Sequence, residues 1–318
     1  MVLDKMKSNI NVLEKMKVYD NVLELIGNTP MVKLNTFKPK PNIDIYAKLE
    51  LWNPGGSLKD RVGVHMIAQA EKKGLLKKGA TIVEATAGNT GLGIALAAIG
   101  KGYKVIVVVP TKFSTEKLAL MRALGAEVVQ TPRELGMAGA TDKMDELLKT
   151  IPNSVALRQF ENLANPESHY LSTGPEIYRD MSGQIDYLVA GAGTGGTYTG
   201  IVKYLKEQNP KIKGVLADPV GSIMGGGEHH DYNIEGIGND FIPATMDMKL
   251  VDIVVKITDT ESYELAREIT KREGIICGSS SGAALAAALK LAEKIEKGNI
   301  VVVFADRGDR YFSKHLYD

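Results

Sequence analysis

The sequence predicts an α/β protein of two domains, each built on an open, mostly parallel sheet flanked by helices. Three observations carry this. Short, continuously apolar runs such as KVIVVVP (104–110) and NIVVVFAD (299–306) read as strands buried on both faces. Helical runs alternate with them, as parallel crossovers require. The composition shifts near QFENLANPES (159–168), which marks a seam between two halves.

Taken in order, residues 1–20 stand apart, with Leu3, Met6, Ile10 and Leu13 on one apolar stripe. A helix this short is marginal alone, so it is expected to dock on the body or on a second subunit. Charges throughout this stretch and no apolar core argue against a signal peptide. A strand at TIVEAT (81–86), a helix at GLGIALAAIG (91–100), a strand at KVIVVVP, a helix at EKLALMRALG (116–125) and a strand at AEVVQT (126–131) follow. Gly100, Gly102 and Gly125 fall where helices should end in a left-handed residue. The second half repeats the alternation, with strands at IDYLVAG (185–191), KGVLADP (213–219), VDIVVKIT (251–258) and NIVVVFAD, and helices at 194–207, 260–273 and 281–296.

Composition excludes several classes. With 39 Lys+Arg against 38 Asp+Glu, the net charge of +1 draws the 318-residue chain to neither nucleic acid nor anionic lipid. No run approaches the ~18 apolar residues of a membrane helix. The single Cys277 rules out internal disulfides and fits a reducing, cytoplasmic location. It precedes a core helix and reads as a packing residue, as does Trp52 beside a glycine turn. His229–His230 have no further His or Cys nearby, so no metal site is expected.

Four stretches carry chemistry. In NPGGSLKDR (53–61), Lys59 follows a Pro-Gly-Gly-Ser turn and opens a helix. Alone it reads as a surface lysine; shielded in a cleft, its pKa would fall and its amine could form a Schiff base. ATAGNTGLG (85–93) joins a strand to a helix, where freed N–H groups and the Thr86, Asn89 and Thr90 side chains can bind an anion. GAGTGGTYTG (191–200) repeats that construction with Gly193, Thr194, Gly195, Gly196 and Thr197. As a dinucleotide fingerprint it is poor, since no acidic residue is expected about 20 residues on, at the end of the next strand. In CGSSSGAALAA (277–287), Ser279, Ser280 and Ser281 can cap a helix, or one hydroxyl can face a heteroatom of a bound ring.

One lysine and three small-residue turns at strand–helix junctions suit a phosphorylated aldehyde cofactor. The combination resembles the pyridoxal-phosphate enzymes of the cysteine synthase and cystathionine β-synthase family. The matching stretches run in order: IGNTPMVKLN (26–35), KLELWNPGGSLKDR (48–61), EATAGNTG (84–91), RALGAEVVQTP (122–132), QFENLANP (159–166), GAGTGGT (191–197), EGIGNDFIP (235–243) and GSSSGAA (278–284). The resemblance implies fold type II, similar to the tryptophan synthase β subunit. A smaller domain would span residues 46–160, and a larger one 21–45 plus 161–318. Lys59 would carry pyridoxal 5′-phosphate and shuttle the α-proton. Asn89 would bond the ring's 3′-oxygen, and Thr86, Ala87, Asn89, Thr90 and Gln159 would grip the substrate carboxylate. Gly193–Thr197 would cradle the phosphate, and Ser280 would face the pyridine nitrogen. A neutral hydroxyl there makes the ring a weaker electron sink, favouring prompt loss of a β-substituent.

The implied reaction is β-replacement in sulfur amino-acid metabolism. An α-aminoacrylate from O-acetylserine, serine or cysteine would take up sulfide or a thiol amino acid. Release of hydrogen sulfide from cysteine with thioether formation belongs to the same chemistry. Ala87 departs from the family's usual serine, which affects the leaving group. The chain ends at Asp318, and no C-terminal regulatory pair is expected. Asp231, in the loop GGGEHHDYNIEGIG, is a candidate for handling the acceptor in the second half-reaction. Small-molecule substrates and a homodimer are the expected partners. Two other readings stay open: a serine/threonine dehydratase-like lyase, and a nicotinamide-dependent oxidoreductase using 191–200.

Overall fold

The computed structural model describes residues 18–86, 88–111 and 113–318; the apolar stripe of residues 3–13 and Ala87 lie outside the described residues. In chain order the elements are β1 (Met31–Lys33), β2 (Ile43–Leu49), α1 (Lys59–Lys72), β3 (Thr81–Ala85), α2 (Asn89–Ala98), β4 (Lys104–Pro110) and α3 (Thr115–Ala123). Next come β5 (Glu127–Thr131), α4 (Gly136–Thr150), β6 (Ser154–Val155), α5 (Ala164–Leu171), α6 (Thr173–Asp180), β7 (Tyr187–Gly191) and α7 (Gly196–Gln208). The chain closes with β8 (Lys213–Pro219), β9 (Ile253–Ile257), α8 (Asp259–Glu273), α9 (Ser279–Lys294) and β10 (Gly298–Phe304).

The strands form two sheets, a six-stranded one in the order β1-β2-β10-β7-β8-β9 and a four-stranded one in the order β5-β4-β3-β6. Every pairing is parallel except β1 on β2. The apolar runs therefore do form strands covered on both faces. Separate cores line the two sheets, around Val302 and Leu216 in the larger and Ile82 and Val107 in the smaller. Gly100, Gly102 and Gly125 all take positive φ after helices. The boundary expected at Tyr46 falls inside β2, whose seven residues all pair with Gly298–Phe304.

Two contacts position the cleft. A Cβ on Gly63 in α1 would lie 2.2 Å from the Gly93 carbonyl oxygen in α2, and one on Gly93 would lie 2.2 Å from that of Lys59. Glycine at both positions lets the two helices touch backbone to backbone, which sets Lys59 beside the turn that follows β3. Behind it, Arg61 donates to both Glu50 and Glu176 at 2.7–2.8 Å, and Lys48 lies 2.9 Å from Glu176. This buried network pins the lysine loop to the end of β2 and to α6. Burial alone would raise the Glu176 carboxyl; Arg61 and Lys48 hold it down at about 2.

Candidate active site

The carboxyl ends of β3, β7 and β10 open on one cleft between the sheets, where ligands sit in open α/β folds. It encloses about 1100 Å³. Its lining brings together Lys59, Thr86, Asn89, Thr90, Gln159, Gly193, Thr194, Gly195, Thr197, Asp231 and Ser280, which the sequence reading had selected from stretches far apart. Gly196 sits one layer behind, where a Cβ would lie 2.2 Å from the Asn165 side chain.

Lys59 is half-buried, and its amine has no hydrogen bond or ion pair to the described residues. Burial pulls its pKa down to about 8, with the Asp306 carboxylate pulling weakly the other way. Such an amine is neutral in a far larger fraction at physiological pH than an ordinary lysine, and in that form it can attack a carbonyl carbon.

The turn from β7 into α7 is shaped by its backbone. Gly195 has φ of +82°, a left-handed residue at the helix start. A Cβ on Gly193 would lie 2.4 Å from the Gly236 carbonyl oxygen. The loop thus packs tightly at the start of α7, beside the cleft, a construction that binds anions in other proteins. Side chains brace it from behind. Asn165 Nδ2 donates to Thr194 Oγ1 at 2.8 Å, and Thr197 Oγ1 lies 3.1 Å from His169 Nε2. Burial, aided by Lys59 and Arg61, drives the His169 pKa well down and keeps that ring neutral.

The turn from β3 into α2 relies on side chains instead. Thr90 Oγ1 donates to Gln159 Oε1 at 2.5 Å. Gln159 is itself fixed by Glu84, whose carboxylate accepts the N–H groups of Leu157, Arg158 and Gln159 at 2.9–3.0 Å. Glu84, Asp306 and Arg310 are positioning groups that the sequence reading did not pick out. The signal for the last two was their place in DRGDRY (306–311), immediately beyond the strand end at Phe304.

The serines of α9, the acid ending β8 and Trp52 depart from the sequence expectations. None of Ser279, Ser280 and Ser281 caps α9; the N-cap is Gly278. Ser279 Oγ instead accepts the Glu235 N–H at 3.4 Å, and Ser281 Oγ the Ala305 N–H at 3.0 Å. Only the hydroxyl of Ser280, 6% exposed, faces the cavity without a described partner. The strand after the glycine turn does end in an acid, Asp218, but that carboxylate is held by Lys256 Nζ at 2.5 Å and Gly225 N–H at 2.9 Å. Trp52 is 66% exposed and packs into no core. Cys277 is fully buried, and burial pushes its thiol up to about 12, so it is inert. Asp231 is exposed at the cleft mouth. Glu235 is tied to Lys117 Nζ at 2.7 Å. Among the described residues no cluster of His, Cys, Asp or Glu is placed to hold a metal.

A lysine with a depressed pKa, a glycine cradle for a phosphate and a neutral hydroxyl across the cavity fit pyridoxal phosphate. The pyridoxal-phosphate dependent enzyme family model matches residues 22–306. The chain belongs to that family. It is a fold-type II enzyme whose cofactor is pyridoxal 5′-phosphate. The chain is 48% identical to the O-acetylserine dependent cystathionine β-synthase of Bacillus subtilis, covering 95% of this chain and 99% of that protein. With the cystathionine β-synthase of Apis mellifera the identity is 46% over 94% of this chain, which spans 62% of the bee protein. Among solved structures, the Helicobacter pylori O-acetylserine dependent cystathionine β-synthase superposes with a TM-score of 0.91 at 44% identity, covering 95% of this chain and 100% of that one. A hydrogen sulfide-producing enzyme from Fusobacterium nucleatum gives 0.90 at 40% identity, over 92% and 100%. Family membership removes the nicotinamide reading of residues 191–200.

Proposed function

We propose that this enzyme carries out β-replacement on a serine- or cysteine-derived amino acid in sulfur metabolism, with its cofactor carried on Lys59. The observation that carries the reading is the cavity itself. A lysine amine and a serine hydroxyl, both without a partner among the described residues, and a glycine cradle at a helix start share it. The names of the relatives narrow the substrates: O-acetylserine as donor and homocysteine as acceptor lead, with sulfide as acceptor and release of hydrogen sulfide from cysteine as neighbouring chemistries.

Bound pyridoxal phosphate supplies the electron sink that acidifies the amino acid's α-carbon. The residues do the rest. The backbone N–H groups of Gly193–Thr197 hold the phosphate, the Asn89 side chain donates to the 3′-oxygen of the ring, and Thr86, Thr90 and Gln159, with the backbone of residues 88–90, hold the amino-acid carboxylate. Lys59 Nζ takes the α-proton and returns it, a task suited to an amine of pKa about 8. Ser280 leaves the pyridine nitrogen unprotonated, which favours fast loss of the β-substituent over side reactions. Asp231 receives the ammonium of an incoming thiol amino acid at the cleft mouth. The division into a smaller domain around the four-stranded sheet and a larger one around the six-stranded sheet, a homodimer, and a cytoplasmic location complete the reading.

Three experiments test it. Borohydride reduction of the holoenzyme should label Lys59; label on another lysine overturns the assignment. A panel of O-acetylserine, serine and cysteine, each with sulfide or homocysteine, should give cystathionine or cysteine. Pyruvate as the main product from serine, whatever the acceptor, would favour the dehydratase-like lyase instead. Asp231→Asn should slow only the step that consumes the thiol amino acid.

A further inference from the structure

Beyond the end of β10, the chain delivers two buried charges to the cleft. Asp306 is 1% exposed and Arg310 3%. Both close on one side chain, Asn89. Its Nδ2 donates to Asp306 Oδ2 at 2.7 Å, and its Oδ1 accepts from Arg310 Nη1 at 2.5 Å. Asp306 Oδ2 also accepts the Tyr311 hydroxyl at 2.6 Å. Arg310 Nη2 donates to the Gly55 carbonyl, in the loop that carries Lys59.

An asparagine amide is nearly symmetrical in shape, and rotating it by half a turn exchanges donor for acceptor. Here that rotation is blocked electrostatically. Turned over, the amide oxygen would face a carboxylate and the NH2 group a guanidinium. Both charge-assisted hydrogen bonds would become repulsions inside a buried site, where such terms are strongest. The NH2 group has two hydrogens, and Asp306 takes one. The other remains for the cleft, so Asn89 meets a ligand there as a donor.

We propose that Asp306 and Arg310 are positioning residues that lock Asn89 in its donor orientation toward the 3′-oxygen of the cofactor ring. This rests on the reading that Asn89 faces that ring. A donor stabilises the oxygen as an anion, whereas an amide presenting its carbonyl oxygen would require a proton on it. The lock therefore fixes the protonation state of the ring oxygen before any amino acid arrives. It also ties the two loops holding Lys59 and Asn89 to one guanidinium, so that both keep their places relative to the ring.

The test uses the isosteric Asp306→Asn, which removes the charge and lets the facing amides pair either way round. Circular dichroism checks that each variant is folded, and Arg310→Gln, which frees the other side of the amide, serves as the independent second variant. The readouts are the absorbance spectrum of the holoenzyme at fixed pH and the binding of pyridoxal phosphate to the apoenzyme by fluorescence titration. Both variants should shift absorbance from the long-wavelength cofactor band to the short-wavelength one. Both should weaken cofactor binding roughly tenfold or more, the loss of about one charge-assisted hydrogen bond. Asn89→Ala should do the same, and adding Asp306→Asn to it should change the spectrum no further. If Asn89→Ala alters the spectrum while folded Asp306→Asn and Arg310→Gln keep the wild-type band and affinity, the positioning role is wrong and the site reading stands. If Asn89→Ala leaves the spectrum unchanged, Asn89 does not face the ring, and both fail.

Discussion

The two strand-to-helix turns at the cleft are alike in sequence and unlike in construction. The turn after β7 is shaped chiefly by crowding at its glycines, Gly193 against the Gly236 backbone, Gly195 left-handed and Gly196 against the Asn165 side chain, which also braces Thr194. The turn after β3 is held by side chains borrowed from elsewhere, with Thr90 on Gln159 and Asn89 between Asp306 and Arg310. In the proposed reading a phosphate group needs only N–H donors at one fixed place, which a tightly packed loop can supply. A substrate carboxylate must be met and released on every turnover. In that reading the β3 turn serves two ligands, Asn89 facing the cofactor between Asp306 and Arg310, and Thr90 with Gln159 meeting the substrate carboxylate.

If Lys59 belongs to the rigid half of this contrast, its amine should be poised before the cofactor arrives. Cofactor loading of the apoenzyme should rise with pH and level off above about 8, because burial favours the neutral amine. At neutral pH it should run roughly two orders of magnitude faster than for a lysine of ordinary pKa. Stopped-flow loading rates against pH give the result; a rate still climbing at pH 10 would mean the amine is not shielded.

Gly193→Ala attacks the backbone-built turn. The new methyl meets a carbonyl oxygen, a neighbour that cannot move out of the way alone, so the loop must shift. Cofactor affinity should fall roughly 10–100-fold, the scale of overpacking a tight site. Equilibrium titration of the apoenzyme measures it. A loop as compliant as its partner would show almost no change.

Thr90→Val keeps the shape of the side chain and removes the hydrogen bond to Gln159. We expect the amino-acid KM to rise roughly tenfold with cofactor affinity unaltered. Equal loss of both would mean that Thr90 and Gln159 support the cofactor as well as the substrate.

The smallest effect concerns α3, which reaches from the smaller sheet to the C-terminal segment. Glu116 accepts from the Ser313 N–H at 2.7 Å and hydroxyl at 2.6 Å, while the Ser114 hydroxyl lies between two acceptors, Glu116 Oε2 at 2.8 Å and the Arg310 carbonyl at 2.6 Å. Burial would raise the Glu116 carboxyl, but hydrogen bonds from Ser313 and Ser114 outweigh it and bring it to about 2. Because the folded value lies below the ordinary 4.5, this contribution is complete above about pH 4.5 and disappears as pH falls toward 2. For a partly exposed group it amounts to at most about 1 kcal/mol. Thermal melts of Glu116→Gln and wild type should differ at pH 7 and converge near pH 2. A constant gap across that range would assign the effect to packing.

The strands and most helices were legible because their signals are local. KVIVVVP and KGVLADP form strands with the expected bounds, 104–110 and 213–219, since an uninterrupted apolar run has few places to go but a covered sheet. Helix α4 carries a comparable signal in Met137, Ala140, Met144 and Leu148, spaced three and four apart, which the alternation of strands had overshadowed. The glycine turns were legible as turns, and the shared motif order brought Lys59, Asn89 and Ser280 into one list before any distance was known.

What the sequence by itself determined is the menu of elements and the identity of the groups that meet at the cleft, because both depend on patterns within about ten residues. The tertiary structure alone decided what holds those groups. Asn89 and Asp306 stand 217 positions apart, and Gln159 and Glu84 75. Nothing in local periodicity pairs them. The same holds for the serines of α9: three adjacent hydroxyls look equivalent along the chain. Rotation of about 100° per residue around the helix sends Ser279 to the loop, Ser281 to β10's end and Ser280 alone to the cavity. Burial set the Lys59 amine to about 8 for the same reason, since exclusion of water is a property of the packed molecule and not of any stretch of it.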